Sequence, residues 1–165
     1  MGQRRRYHPR DFGDVQWRLL LDFALERCDA FECAIPYRYI ALDLANAPLW
    51  PAELETLRGD VVGRHVSMIR RDVLQEYATQ YVRFRSTSAV RRYVRSLPRL
   101  EDWSWPDGTP EDPLFVRGDS TILSTESPAG RITVYADNSD IEDLSDVGIQ
   151  LIEPLGVKAE PWPTP

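Results

Sequence analysis

Residues 114–136 read LFVRGDSTILSTESPAGRITVYA. Three short runs of β-branched and apolar residues stand out: Leu114–Val116, Thr121–Ser124 and Arg131–Tyr135. Gly118-Asp119 and Pro128-Ala129-Gly130 separate them with turn chemistry. The stretch therefore predicts an antiparallel β-meander. On its C-terminal side, Ser139 and Glu142 form an S-x-x-E pattern, which predicts a short acidic helix opened by a capping box. Ile149–Ile152 is the expected last strand. Residues 154–165 hold four prolines and predict an extended tail.

On the N-terminal side, residues 98–113 carry four prolines and the pair Trp103 and Trp105, which predicts a long loop. Glu76–Ser86 alternates and is rich in aromatic and β-branched residues, so a strand is expected. Ser86 or Ser88 then caps a helix containing Val90, Tyr93, Val94 and Leu97, which stops before Pro98. Residues 60–75 fit two templates. Val61-Val62 and Val66–Ile69 suit a strand, but the spacing of Val66, Ile69 and Val73 points to a helix from about 65 to 76. Pro51 suits the first turn of a short helix, Ala52–Arg58, ended by Gly59.

Residues 31–44 are apolar, yet Pro36 argues against a central strand, so an irregular segment or an edge strand is expected. Asp14 is placed to cap a helix over residues 14–29. Its apolar stripe combines Val15, Leu19, Phe23 with Leu20, Ala24, Cys28. Residues 1–11 are polar and include Arg4-Arg5-Arg6, which suggests a mobile basic tail. The expected architecture is an α+β fold in one domain spanning residues 12–153. Helices fall mostly within 14–97 and the antiparallel meander within 114–152.

The chain has 165 residues and a net charge of −6, unevenly spread. Residues 1–100 hold 17 Arg against 12 acids, a balance of +5, while residues 101–165 hold three basic residues against 14 acids, a balance of −11. The plainer meaning is internal complementarity. The sharper one is an acidic face for a basic partner. No apolar window is long enough to span a bilayer, and no apolar run follows the N-terminal arginines, so a cytoplasmic location is expected. In that compartment Cys28 and Cys33 read as buried thiols.

Reactive constellations are scarce. There is no G-x-x-x-x-G-K-[ST], no G-x-G-x-x-G, no C-x-x-C and no H-E-x-x-H, so no cofactor or metal is expected. His65, the only histidine inside the expected domain, could pair with Cys28 or Cys33 as a nucleophile, though nothing marks such a pair. Glu101-Asp102 and Glu111-Asp112 flank the tryptophan loop and could form a sugar cleft with Trp103 and Trp105. A solvated loop whose tryptophans fold back on the core is the plainer reading. Asp137, Asp140, Glu142, Asp143 and Asp146 lack the spacing of a calcium loop. Arg83, Arg85, Arg91, Arg92, Arg95 and Arg99, interleaved with aromatics, could hold single-stranded nucleic acid. The acidic balance of the chain argues for structural pairing instead.

Glu111–Gly118 together with Ile122–Ser127 resembles a pattern in small bacterial immunity-type and uncharacterised proteins. In that pattern an acidic-aromatic strand, a Gly turn and a Leu-Ser strand precede a Ser-His-Glu turn. Here Pro128-Ala129 follows Ser127, so that turn is absent. The resemblance implies that the meander exists and that the chain binds a partner toxin. It transfers no functional residue. The expected function is non-enzymatic partner binding, with a basic toxin domain as partner and self-association left open. The contact residues would be Glu101, Asp102, Trp103, Trp105, Asp137, Asp140, Glu142, Asp143 and Asp146. An enzyme with a cleft at the tryptophan loop is the alternative, and a nucleic-acid binder through Arg83–Arg99 the second alternative.

Overall fold

Seven side chains, one from each of seven strands, line up across the molecule: Val61, Phe84, Phe31, Phe115, Leu123, Val134 and Tyr7 are successive cross-strand partners. All but Val61 are buried, and Val61 packs against the same core. The row belongs to an α+β structure with a single eight-stranded antiparallel sheet. It is seen in a computed structural model that describes residues 4–38, 52–72, 75–103 and 110–154. The strands are β1 (Arg5–Pro9), β2 (Ala30–Arg38), β3 (Val61–Asp72), β4 (Gln75–Arg85), β5 (Glu111–Arg117), β6 (Ser120–Glu126), β7 (Arg131–Ala136) and β8 (Leu151–Ile152). Their spatial order is β3-β4-β2-β5-β6-β7-β1-β8. The helices are α1 (Asp14–Arg27), α2 (Ser88–Arg95) and α3 (Asn138–Asp146), with a longer 3₁₀ stretch at Ala52–Asp60.

Alternation assigns the two faces of the sheet. Phe31, Cys33, Val82, Phe84 and Phe115 lie on the face under the helices. Phe31 is the centre of that core: its ring lies 6.0 Å from Phe84, 5.4 Å from Phe115 and 5.6 Å from Trp103. Trp103 in turn meets Tyr93 of α2 edge-on at 6.2 Å. Helix α1 packs beside α2, β5 and β6, and α3 packs on β7. The opposite face carries a second row one residue out of step, Arg83, Glu32, Leu114, Ser124 and Thr133, which is mostly polar.

The meander, the β4 strand and the three helices lie where the sequence placed them, and several details differ. The expected basic tail is β1, held between β7 and β8. Tyr7 is buried opposite Val134, and Arg4 and Arg5 meet Asp140 and Glu153, so the arginine run has partners that local reading could not supply. The expected helix over 65–76 is β3, because pairing with β4 from Val61 to Asp72 overrides a helical spacing carried by three residues. Segment β2 is central, not an edge. The proline rule still holds locally, since the last pair with β5 is Ala34 with Glu111 and Pro36 pairs only with Thr79 of β4.

Most of the expected apolar stripe of α1 is buried: Leu20, Phe23, Ala24 and Cys28 lie in the core and Leu19 packs against it, while Val15 is exposed and Trp17, Leu21 and Leu25 widen the stripe. The caps also shift. Gly13 precedes α1, Thr87 accepts from the Val90 amide at 3.3 Å, and α3 is opened by Asp137 with Asp140 in place of Ser139 with Glu142. The 3₁₀ stretch runs on through Gly59. Both cysteines are free and buried. The expected C-terminal tail beyond Pro154, the region around Trp105 and the stretch from residue 39 to 51 lie outside the described residues.

Phe31→Ala removes the side chain on which three other rings converge. The expected cost is about 3–5 kcal/mol, the usual range for deleting a core aromatic. Urea denaturation read by tryptophan fluorescence checks it. A loss below about 1 kcal/mol would contradict the packing described.

Candidate partner-binding surfaces

The acids expected to meet a partner are divided by the fold into internal and external groups. Asp140 is buried, with its side chain 7% exposed, and its carboxylate meets both Arg4 (3.1 Å) and Arg27 (3.1 Å). Arg27 also pairs with Asp143 and stacks 4.1 Å over the Phe23 ring. One arginine of α1 and one preceding β1 therefore clamp α3 onto the sheet. Asp137 is used as a cap. Its Oδ1 accepts from the Ser139 and Asp140 amides, each at 3.1 Å. Hydrogen bonding from the Asp140 backbone and then from the Ser139 side chain holds the Asp137 carboxyl below its ordinary 3.8.

Asp102 accepts from the side chain of Arg99 at 2.6 Å and from its amide at 2.9 Å, and that pairing lowers its pKa. Trp103 is fully buried against Phe31, so it serves the core and offers no surface contact. Trp105 lies outside the described residues. Glu101 is exposed. Glu142 and Asp146 are exposed on α3, and among the described residues neither is ion-paired. Beside them on the chain stand two exposed aliphatics that sequence reading passed over, Val147 (51%) and Ile152 (46%). Val147 is the C-cap of α3, directly after Asp146, and Ile152 belongs to β8, the next strand in the chain.

Most of the arginine cluster is engaged within the fold. Arg83 pairs with Glu32 at 3.0 Å, Arg91 donates to Ser86 Oγ at 3.1 Å, Arg95 pairs with Asp22 at 2.9 Å and Arg99 pairs with Asp102. The partners Glu32 and Asp22 come from the basic half itself, and Asp102 from the acidic half. Glu32 on β2 and Glu111 on β5 are both buried; alternation within β2 is the signal that would have found Glu32, whereas Glu111 pairs with Ala34 beyond a register shift that strict alternation in β5 does not anticipate.

Cys33 and His65 lie on opposite faces of the sheet. Cys33 is opposite Val82, whereas His65 is opposite Tyr81 and stacks on it at 4.8 Å. Burial, and next the nearby Glu32, push the Cys33 thiol pKa up. Cys28 donates to Ser86 Oγ at 3.3 Å, and burial raises its pKa as well. Among the described residues no three His, Cys, Asp or Glu side chains are grouped to hold a metal, and no helix is long and apolar enough to cross a membrane.

Comparison with known proteins adds no relative. No family model, curated protein or solved structure matches the chain.

Two outcomes follow from the clamp and the cap. Asp140→Ala leaves Arg4 without its carboxylate and removes half of the α3 capping box. It should cost about 2–3 kcal/mol in chemical denaturation, against less than about 1 kcal/mol for exposed Asp143→Ala. The pH dependence has a definite sign. The folded pKa of Asp137 lies below its unfolded value, so its stabilising contribution is present above pH 3.8 and is lost as pH falls through the folded value. Asp137→Asn should therefore flatten the acid limb of the stability curve below that pH. An unchanged limb would contradict the role of the carboxylate.

Proposed function

We propose that this chain is a non-enzymatic protein-binding module that meets a basic partner through the α3–β8 corner. In its narrower form, it is a bacterial immunity protein that neutralises a toxin inside the cell. The observation that carries the reading is the corner itself. Glu142 and Asp146 remain outside the internal ion pairs, with exposed Val147 next to Asp146 in the chain and exposed Ile152 on the strand that follows. An apolar centre with a charged rim is the usual anatomy of a protein contact surface. Acidic rim charge speeds encounter with a basic surface, such as the substrate groove of a nuclease. The clamp of Arg4 and Arg27 on Asp140 and Asp143 narrows the contact to fewer acids than the charge count alone suggests.

Affinity capture from the source lysate tests it, using the wild-type chain beside Glu142→Lys/Asp146→Lys. The expected result is a basic protein retained by the wild type at low salt, weakened about tenfold or more by the double reversal and by high salt. An identical set of captured proteins from both chains would overturn the acidic-corner reading.

A further inference from the structure

Among the described residues, strand β8 pairs with β1 alone. The chain leaving α3 is anchored as far as Ile149, which is buried and whose amide donates to the Leu144 carbonyl at 2.8 Å. After that point the hydrogen bonds and ion pairs of residues 150–153 run to residues 5–10. The Arg10 amide donates to the Gln150 carbonyl at 2.9 Å, His8 and Pro9 pair with Ile152 and Leu151, and Glu153 meets Arg5 at 3.3 Å and the Tyr7 hydroxyl at 3.5 Å. Strand β1 changes neighbours along its length: Arg5–Tyr7 pairs with β7, then His8 and Pro9 pair with β8. Proline has no amide to give the β7 ladder, and the His8 imidazole donates to the Ile132 carbonyl at 2.8 Å in its place. Arg4, one residue before the strand, ties it across β7 to α3. It donates to the Tyr135 carbonyl at 3.2 Å and pairs with Asp140 at 3.1 Å.

A strand bound through brief ladders on both flanks opens more readily than a long central one. Because β1 carries both ladders, its release frees β8 with it, while Arg27 still holds α3 through Asp140 and Asp143. We infer that β1 is a latch: it opens together with residues 150–153 as one unit, apart from the rest of the sheet, and Ile152 is presented only while the latch is closed. Its consequence for partner binding rests on the α3–β8 reading above. Of the two exposed aliphatics in that reading, Ile152 depends on β1, and Val147, the C-cap of α3, does not. A partner that contacts Ile152 holds the latch shut, and closure of the latch raises the affinity for that partner by the same factor.

Native-state hydrogen exchange of the free, full chain, read by NMR across low urea concentrations, tests the latch. Two amides report on β8: that of Arg10, and that of Ile152, which faces the His8 carbonyl in the antiparallel pattern. Both should share one opening equilibrium with the amides of the β1–β7 ladder, at least about tenfold more populated than global unfolding. Arg4→Ala touches neither reporter, yet should speed exchange at both about tenfold, because Arg4 holds the strand they share. Arg6 and Tyr135 are cross-strand partners, so Arg6→Cys/Tyr135→Cys can lock β1 onto β7. Its oxidised form should slow the Ile152 amide at least about tenfold relative to the reduced form of the same chain. Exchange at Ile152 that ignores both changes would overturn the inference, because β8 would then leave on its own. Opening of β1 only together with Ala30–Glu32 would overturn it as well. No partner enters these readings, so failure of the Glu142→Lys/Asp146→Lys test leaves the latch standing, and failure here leaves the acidic contact standing.

Discussion

The structure depends on one row of side chains. Val61, Phe84, Phe31, Phe115, Leu123, Val134 and Tyr7 stand side by side on seven strands, and the helices pack over that row. Because side chains alternate, a slip of one residue in any of these strands would exchange the apolar row for the polar row beside it. Strand β2 carries the tightest form of the constraint. It alone joins the β3–β4 hairpin to the five strands on the other side. Just before it, Asp29 binds both flanks: its carbonyl accepts from Ser86, its amide donates to Val116, and its carboxylate accepts from Gly118.

Charge follows from this frame. The chain divides into a basic N-terminal part and an acidic C-terminal part, and the fold uses that division at one place above all. Arg4 and Arg27, more than twenty residues apart, converge on Asp140. Buried carboxylates are costly unless paired, and the two arginines offset that cost while fixing α3 on the sheet. What remains outside the internal ion pairs includes Glu142 and Asp146, exposed on α3.

Legibility in the sequence followed the range of the interactions. The meander and β4 were readable because alternation and turn residues are local signals. Strand β1 was not, because Arg4, Arg5 and Tyr7 find their partners at Asp140, Glu153 and Val134. Strand β3 was misjudged because Val66 and Ile69 satisfy helical spacing as well as strand composition, and only pairing with β4 decides between them. Pro36 was correctly taken to need an open flank, yet one open position does not make a whole strand an edge. Of the expected contact residues, Glu142 and Asp146 face outward, Trp103 is core, and Asp140 is buried between two arginines. Composition could not separate them, since burial of an acid is set by where a distant arginine arrives.

Amide hydrogen exchange, followed residue by residue by NMR on the free protein, tests most directly that the sheet is built through β2 and, among the described residues, ends at β3. Within Ala30–Glu32 every amide should exchange slowly, at the rate of global unfolding, since β2 is paired on both sides there. Along Gly63–Arg70 every second amide should exchange fast, because its N–H faces water. Uniform protection along β3, or β2 amides exchanging as freely as those of a loop, would contradict the account.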